Sequence, residues 1–254
     1  AVIARSLRPP GEPPSQATAG PPFAQSAPRP RRALPSGMVD PAHPDPLSGA
    51  CRFADQELPD PLPAEPIGLV RRWLDDAARG KVQPNPNAMT LATVGPDGRP
   101  SARIVLCRTI HPDLGCFVFY TNYRGAKGLA LEHSGRAALV FHWDDLDRQV
   151  RIEGPVTRSP ASESDGYFRS RPVMSRVAAW ASEQSAPIAS RSALLEQNAR
   201  VEARFGIERG PDGSPRLKSG APLESLDVPR PGHWGGFRVW AETVELWLGH
   251  TNPL

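Results

Sequence analysis

The sequence predicts a mainly β protein with flanking helices, arranged as a small antiparallel barrel. Seven strand-like runs follow one another with few helices between them. The first two runs are joined by Gly95-Pro96-Asp97-Gly98, a turn in which proline presets one dihedral and glycine accepts a positive φ. Consecutive strands of this kind favour a barrel over a parallel doubly wound sheet. The runs span residues 88–94, 101–108, 116–121, 137–143, 149–156, 237–240 and 243–247.

Helices are predicted before and between these strands. Apolar residues recur at helical spacing from Ile67 to Ala77, with Pro66 at the start and Gly80 at the end. Two more helices are predicted at residues 126–133 and 190–205. So few helices among so many strands again favour an antiparallel barrel.

The chain divides into a tail and one folded domain. Residues 1–66 hold about half of the 31 prolines and could bury too little apolar surface to offset the entropy of ordering. We therefore expect a disordered tail at 1–66 and a folded domain at 67–254. Within the domain, residues 206–232 are polar and rich in Gly, Pro and Ser, which predicts a flexible surface insertion. Because the chain begins with Ala1 and Met38 follows the proline-rich run, we expect either a fragment or a start placed too far upstream.

The charge distribution argues against a nucleic-acid partner. The formal net charge is +3, and residues 1–40 alone carry five arginines against two acidic residues. The rest of the chain is therefore neutral, and the sequence pI of about 9.0 comes from the tail.

Cysteine and histidine usage is typical of a cytoplasmic protein without a metal site. Cys51, Cys107 and Cys116 are odd in number and lack ligand spacing, so we expect free thiols in a reducing compartment. The six histidines are scattered, with no pair at metal-binding spacing. No apolar run approaches the length of a membrane span. The sequence therefore predicts a cytoplasmic protein with no metal and no membrane partner.

Residues 167–191 are the strongest candidate for a binding site. The segment interleaves four arginines with five serines and three aromatic residues. Guanidinium groups and hydroxyls suit the binding of a phosphate or carboxylate, and aromatic rings offer a face to a flat heterocycle. The alternative is an amphipathic helical pair whose arginines lie in water, and composition alone leaves both interpretations open.

The same segment carries a family resemblance. Arg171-Pro172, Ser175, residues 179–182 and Gln184-Ser185 stand as they do in the pyridoxine/pyridoxamine 5′-phosphate oxidases. The chain resembles this family from about residue 87 to residue 249, with several separated motifs in the same order. The resemblance implies an FMN-binding split β-barrel that forms a homodimer with the flavin between subunits. It also implies oxidation of pyridoxamine or pyridoxine 5′-phosphate by dioxygen to pyridoxal 5′-phosphate.

The resemblance implies a set of FMN contacts, each of which also has an ordinary structural interpretation. Arg103 fits the end of an edge strand, Lys127 a solvated helix start, and Trp247 a barrel-core aromatic. The family often has an arginine just before the lysine, where this chain has Ala126. The implied contacts are Arg103, Ile104, Val105, Leu106, Tyr120, Thr121, Lys127, Gln149, Gln184, Ser185 and Trp247.

Four residues match those that hold the substrate phosphate in the family, namely Arg108, Tyr167, Arg171 and Ser175. Arg108 stands where the family usually has a lysine, so the charge is kept while reach and geometry change. The last three are spaced by four, which in a helix would place them on one face. No side chain stands out as a general base, so no catalytic residue is predicted.

Two departures concern the part of the family that closes over the substrate. Pro253 stands at the position of a family arginine, the following histidine is missing, and no Arg-x-x-Tyr pattern is visible near Arg52-Phe53. Two other functions therefore stay open. One is a split-barrel flavoenzyme with another substrate, such as a phenazine-pathway oxidase or a flavin reductase. The other is a protein that binds FMN or pyridoxal phosphate without turnover.

Overall fold

One large antiparallel sheet organises the chain. The computed structural model describes residues 56–249 and the backbone of residues 2–5. Within these residues nine strands form the large sheet and two more form a separate hairpin, which confirms the predicted mainly β fold. The strands are β1 Val2–Arg5, β2 Ala88–Val94, β3 Pro100–Leu106, β4 Thr109–His111, β5 Cys116–Asn122, β6 Arg136–Trp143, β7 Arg148–Arg158, β8 Ile207–Arg209, β9 Pro215–Leu217, β10 Trp234–Trp240 and β11 Thr243–Leu248.

The long strand β7 divides the sheet into a split barrel. Strands follow the order β3-β2-β6-β7-β10-β5-β4, with β11 also paired to β7. One edge of β7 pairs with β6, while the other pairs first with β11 and then with β10. The partner changes beside Gly154, where a Cβ atom would lie 1.7 Å from the carbonyl oxygen of Trp240. Only glycine lets the two backbones approach so closely.

Five helices flank the sheet within the described residues. The first follows Pro66, as predicted, and is closed by Lys81 in the left-handed conformation at φ 50°, one position after the expected Gly80. The helices predicted at 126–133 and 190–205 are also present. The helices are α1 Ile67–Gly80, α2 Ala126–Ser134, α3 Ala161–Ser170, α4 Val173–Ala181 and α5 Arg191–Arg204.

The barrel interior is the larger of two apolar clusters. Its largest fully buried side chains are those of Trp143, Phe117, Phe119 and Phe141. Helix α1 covers the cluster through residues that include Trp73. Burial of each such side chain stabilises the fold by about 1.5–3 kcal/mol, so this cluster fixes the strand positions on which the site depends.

The second cluster lies under α3, α4 and residues 206–232. It contains Phe168, Ile207, Val228 and Trp234, all buried. The segment expected to be a flexible surface insertion therefore includes the β8–β9 hairpin. It supplies two buried members of this cluster, and Leu217, Leu223 and Leu226 pack against it. Its apolar residues are too few to predict such packing from the sequence. Its flexibility and its limits remain predictions.

Parts of the expected disordered tail are structured. Strand β1 pairs antiparallel with β11, from Val2 opposite Leu246 to Arg5 opposite Thr243. Leu58 and Leu62 pack against the barrel cluster. The structure differs from the prediction here because a few apolar residues among the prolines find sheet and core partners distant in the sequence. The domain limit at residue 66 stays a prediction.

Several predictions concern residues that the structure does not describe, which include 6–55 and 250–254. These are the disorder of residues 6–55, the free thiol of Cys51, the pattern near Arg52-Phe53, and the departure at Pro253.

Candidate functional site

A cavity of about 440 Å³ opens where the ends of β3 and β5, the start of α2 and the α3–α4 pair meet. It contains residues from both groups that the resemblance implied. Ten of the fifteen predicted site residues line it: Ile104, Val105, Leu106, Arg108, Tyr120, Thr121, Lys127, Tyr167, Arg171 and Gln184. The other five, Arg103, Gln149, Ser175, Ser185 and Trp247, do not.

The N-terminus of α2 forms one side of the cavity. Gly125 precedes the helix, and a Cβ atom there would lie 2.8 Å from the side-chain oxygen of Gln184. Lys127 Nζ donates to that oxygen at 2.7 Å, and the Thr121 hydroxyl donates to it at 3.1 Å. Because a helix N-terminus is positively polarised and carries free amides, this group of donors suits a phosphate.

Ser185 supports the same helix start from outside the cavity lining. Its hydroxyl accepts a hydrogen bond from the amide of Ala126 at 3.1 Å. Ser185 adopts φ 71°, a left-handed conformation that costs a residue other than glycine roughly 1–3 kcal/mol. The loop that carries Gln184 is thus held against α2 despite local strain.

Three cations, Arg108, Lys127 and Arg171, line the cavity, and no described lining residue is acidic. Burial lowers the pKa of Lys127, and the nearby charge of Arg103 lowers it further. Burial also lowers the pKa of Arg171, and Arg108 contributes to the same effect. Cations that are desolvated and repel one another are stabilised by a bound anion.

Arg103 itself is tied to strands β2 and β3. Its guanidinium donates from Nη1 to the Thr93 hydroxyl at 2.7 Å and from Nη2 to the Ser101 hydroxyl at 2.6 Å. It therefore acts on the cavity through its charge and does not line it.

The segment 167–175 is not one continuous helix. Helix α3 ends at Ser170, and Arg171 is extended at φ −75° and ψ 147°. Pro172 causes the break, because a residue before proline is pushed out of the helical region. The expectation that Tyr167, Arg171 and Ser175 share one helical face is therefore wrong. Tyr167 and Arg171 reach the cavity, and Ser175, on the new helix α4, does not line it.

The guanidinium of Arg171 lies against aromatic rings. Its Cζ is 4.7 Å from the ring centroid of Trp234 and 5.7 Å from that of Phe168. Its Nη1 atom is buried and has no hydrogen-bond partner in the structure. A buried unpaired donor is costly, so this atom is available to an acceptor that enters the cavity.

Stacked rings form one wall of the cavity. The rings of Tyr120 and Tyr167 stack with centroids 3.9 Å apart, and Trp234 lies nearly parallel to Tyr120 with centroids 5.6 Å apart. Arg108 lies over Tyr167, with Cζ 5.7 Å from the ring centroid. Aromatic faces of this kind suit a flat heteroaromatic ligand.

Trp234 was missed by the sequence analysis, although a signal was present. It begins β10 and is followed by Gly235 and Gly236. A Cβ atom on Gly236 would lie 2.9 Å from Cε1 of Tyr120, and one on Gly235 would lie 2.0 Å from the hydroxyl of Tyr123. Two glycines that make room for aromatic side chains of the neighbouring strand mark the tryptophan before them as part of the same wall.

Gln149 and Trp247 lie together outside the cavity, on the β7–β11 pair. They face each other across the β7–β11 pair, and Trp247 is 38% exposed. Neither lines the cavity of the single chain. Gln149 and Trp247 are therefore separate from the predicted cofactor residues that line the cavity.

Helix α3, which carries Tyr167, is fixed to the sheet by Glu163. The carboxylate accepts a hydrogen bond from Arg238 Nε at 3.0 Å, and His111 Nε2 lies 3.0 Å from its other oxygen. Burial raises the pKa of Glu163, but hydrogen bonds led by that from Arg238 outweigh it and hold the pKa below its ordinary value. The carboxylate is thus kept charged as an anchor for the helix.

Three general properties concern the described residues alone. No group of three or more His, Cys, Asp or Glu residues among them is arranged to hold a metal ion. None of their helices has the length and apolar character needed to cross a bilayer. Cys107 and Cys116 are free and buried, and burial raises the pKa of the Cys107 thiol to about 12.

The fold is shared with a protein of known structure. PhzG from Burkholderia lata, solved in complex with tetrahydrophenazine-1-carboxylic acid, superposes with a TM-score of 0.65 at 28% identity. The superposition covers 78% of this chain and 88% of that one. Fold and cavity together define the class of split-barrel proteins related to pyridoxamine 5′-phosphate oxidase.

Sequence comparison assigns the family. The model of the pyridoxamine 5′-phosphate oxidase family matches residues 74–205. A pyridoxine/pyridoxamine 5′-phosphate oxidase of Thermosynechococcus vestitus is 48% identical over 190 residues, or 75% of this chain and 80% of the relative. One of Burkholderia lata is 46% identical over 190 residues, or 75% and 78%. The chain belongs to the pyridoxamine 5′-phosphate oxidase family and is an oxidoreductase of that family.

Proposed function

We propose that this protein oxidises pyridoxamine or pyridoxine 5′-phosphate with dioxygen to pyridoxal 5′-phosphate, with FMN as cofactor. One observation carries the proposal. A single cavity holds three cations, no acidic residue among its described lining, and a wall of parallel aromatic rings. Such a cavity suits two phosphate esters with flat rings, which is what this cofactor and this substrate are.

The residues at the start of α2 fit the phosphate of FMN. Lys127 and Thr121 already converge on one acceptor, the side-chain oxygen of Gln184, within 2.7 and 3.1 Å. An anion placed there would also meet the positive end of the helix. When bound, FMN supplies the redox chemistry, since flavins accept a hydride and pass electrons to dioxygen.

The second group of cations fits the phosphate of the substrate. Arg171 offers a buried, unbonded Nη1, and Arg108 lies beside it over the ring of Tyr167. A phosphate held by both guanidinium groups would fix the substrate ring at one end of the cavity. Orientation of this kind is the protein's main contribution when a cofactor carries the chemistry. Ser175, which the resemblance also assigns to the substrate phosphate, does not line this cavity.

We propose that Gln149 and Trp247 complete the flavin site of a second subunit. They lie together on one face of β7 and β11, away from the lining of their own cavity. Two large apolar side chains, Ile104 on the cavity rim and Trp247, are 65% and 38% exposed. Burial of such side chains between copies would favour a homodimer with the flavin between subunits.

A phenazine-pathway oxidase is the second candidate, and the structural likeness to PhzG supports it. An aromatic carboxylate such as the PhzG ligand would also suit cations beside stacked rings. The identities favour the first candidate, because the chain is 46% identical to the B6-phosphate oxidase of Burkholderia lata and 28% identical to PhzG of that organism.

Two measurements test the proposal. The absorbance spectrum of purified protein should show bound flavin. Peroxide release should then follow the addition of pyridoxamine 5′-phosphate and be far weaker with pyridoxamine, which lacks the phosphate. A flavin-loaded protein that releases peroxide only with tetrahydrophenazine-1-carboxylic acid would favour the second candidate. Flavin without any turnover would identify a binding protein.

A further inference from the structure

We propose that Trp234 is a positioning residue, which holds the guanidinium of Arg171 open for an anion without occupying its hydrogen-bond donors. The proposal rests on the phosphate clamp proposed above and names a residue on which that clamp depends. The indole Nε1–H of Trp234, which lines the same cavity, is also a hydrogen-bond donor. The double-mutant cycle below therefore separates a direct contact with the anion from an effect that passes through Arg171.

The geometry of the contact supports this role. The Cζ atom of Arg171 lies 4.7 Å from the ring centroid of Trp234, within the range of a cation–π contact. The five N–H groups of a guanidinium lie in its plane, and a ring stacked on its face leaves them free. A carboxylate in the same place would bind those N–H groups and neutralise the charge. An indole therefore stabilises a desolvated arginine and keeps it competent for phosphate.

Arg171 shows the consequence of this arrangement. Its Nη1 is buried and has no partner, and no salt bridge within the described residues involves it. Its backbone is extended because Pro172 follows, so neighbouring side chains of a helix do not restrict its rotamers. Without a ring beside it, a long and flexible side chain would sample many rotamers before meeting a ligand.

Trp234 is itself rigid enough to hold another residue. It is 8% exposed, and its ring packs edge-on against Phe168 with centroids 5.1 Å apart. Its carbonyl oxygen accepts a hydrogen bond from Arg230 Nη1 at 2.6 Å, and Arg230 Nε donates to Asp165 on α3 at 2.6 Å. The contact with Phe168 therefore holds the indole against α3, and Arg230 links the backbone of Trp234 to the same helix.

The test compares Trp234→Leu, which removes the aromatic face, with Trp234→Phe, which keeps a smaller one. Rates are measured per bound flavin at saturating FMN, because Trp234 also lies near Tyr120. For pyridoxamine 5′-phosphate, we expect the KM of Trp234→Leu to rise about tenfold with kcat within about twofold, and Trp234→Phe to recover most of the loss. Trp180→Leu is the matched control, since Trp180 carries a similar contact with Arg204 at 4.5 Å but does not line the cavity.

A double-mutant cycle separates positioning from general damage. If Trp234 acts through Arg171, then Trp234→Leu should change the KM little in a chain that already carries Arg171→Ala. Additive effects of the two substitutions would overturn the proposal. So would a KM of Trp234→Leu no higher than that of Trp180→Leu, or an equal loss in Trp234→Phe and Trp234→Leu.

Failure of the proposed function can be told apart from failure of this inference. If the wild type does not turn over B6 phosphates, the same cycle is run on the affinity for inorganic phosphate, measured by titration calorimetry of flavin-loaded protein. Phosphate binding that is weaker in Trp234→Leu than in the wild type, and no weaker in the double variant than in Arg171→Ala, supports the positioning role without the oxidase. No phosphate binding by the wild type, or binding by Trp234→Leu as tight as that of the wild type, overturns it.

Discussion

Lys127 Nζ and Gln184 Oε1 lie 2.7 Å apart, although 57 residues separate them in the sequence. The bond joins the start of α2 to the loop after α4 and closes one side of the cavity. Because the Gln184 oxygen also accepts from Thr121, two distant segments of the chain meet at one point, where a phosphate would replace the amide oxygen as acceptor. Substitution of these residues gives a direct test of the cofactor site.

Lys127→Ala should weaken FMN binding by about 1–3 kcal/mol, the usual cost of a lost hydrogen bond to a charged group. Fluorescence titration of the apoprotein with FMN measures the change. Lys218→Ala, at an exposed lysine near β9, is the control and should bind FMN like the wild type. Equal affinity of Lys127→Ala and wild type would remove Lys127 from the site.

Arg171→Ala should raise the KM for pyridoxamine 5′-phosphate at nearly unchanged kcat, because a phosphate contact is made in ground state and transition state alike. Arg171→Lys keeps the charge but loses the planar fork that lies against Trp234, so it should be impaired, though less than Arg171→Ala. Flavin content should stay normal in both variants. Steady-state kinetics with an unaltered KM in Arg171→Ala would contradict the phosphate clamp.

A mixed dimer should rescue two damaged chains. If each flavin contacts Lys127 of one subunit and Gln149 of the other, a heterodimer of Lys127→Ala and Gln149→Ala chains has one native site and one doubly altered site. Purified through two different tags, it should retain about one tightly held flavin per dimer, while both homodimers lose theirs. A heterodimer no better than the homodimers, or a flavin-saturated monomer on gel filtration, would show that each chain forms its site alone.

Gly154→Ala should destabilise the protein strongly, by about 3 kcal/mol or more, the upper end of what overpacking costs. The added methyl group would lie 1.7 Å from the carbonyl oxygen of Trp240, where β7 changes partner. Gly166→Ala is the matched control, because no atom lies within 4 Å of its Cβ position on helix α3. It should be neutral or stabilise by about 0.5–1 kcal/mol, since alanine is the better helix former. Thermal unfolding of both variants measures the difference.

The contribution of the Glu163 carboxylate to stability should depend on pH. The pKa of Glu163 is held below its ordinary value of 4.5 in the folded protein. Its stabilising contribution is therefore fully present above the unfolded value and is lost as the pH falls through the lower folded value. The Tm difference between wild type and Glu163→Gln should shrink as the pH falls from 7 to 3. A difference that stays constant over this range would show that the carboxylate charge is not what holds the helix.

Local patterns in the sequence predicted seven of the eleven described strands and three of the five described helices. In β2, Met89 and Leu91 alternate with less buried neighbours, as period-two patterning requires. Pro66 and the apolar spacing after it defined α1 because helix starts and faces depend on residues only a few positions apart. The family motifs added the candidate residues one by one, and ten of them line one cavity.

The tertiary structure decided what no local pattern contains. The spacing of four predicted one helical face for Tyr167, Arg171 and Ser175, but the helix is broken at Pro172. Arg171 therefore lines the cavity and Ser175 does not. Trp234 joins Arg171 from 63 residues further along the chain, since β10 pairs with β5 and lies beside α3. Local sequence patterns determined most of the strands and helices, because these depend on residues only a few positions apart. Closure of the sheet around β7 determined which of them meet, because contacts between distant segments depend on the packing of the whole chain.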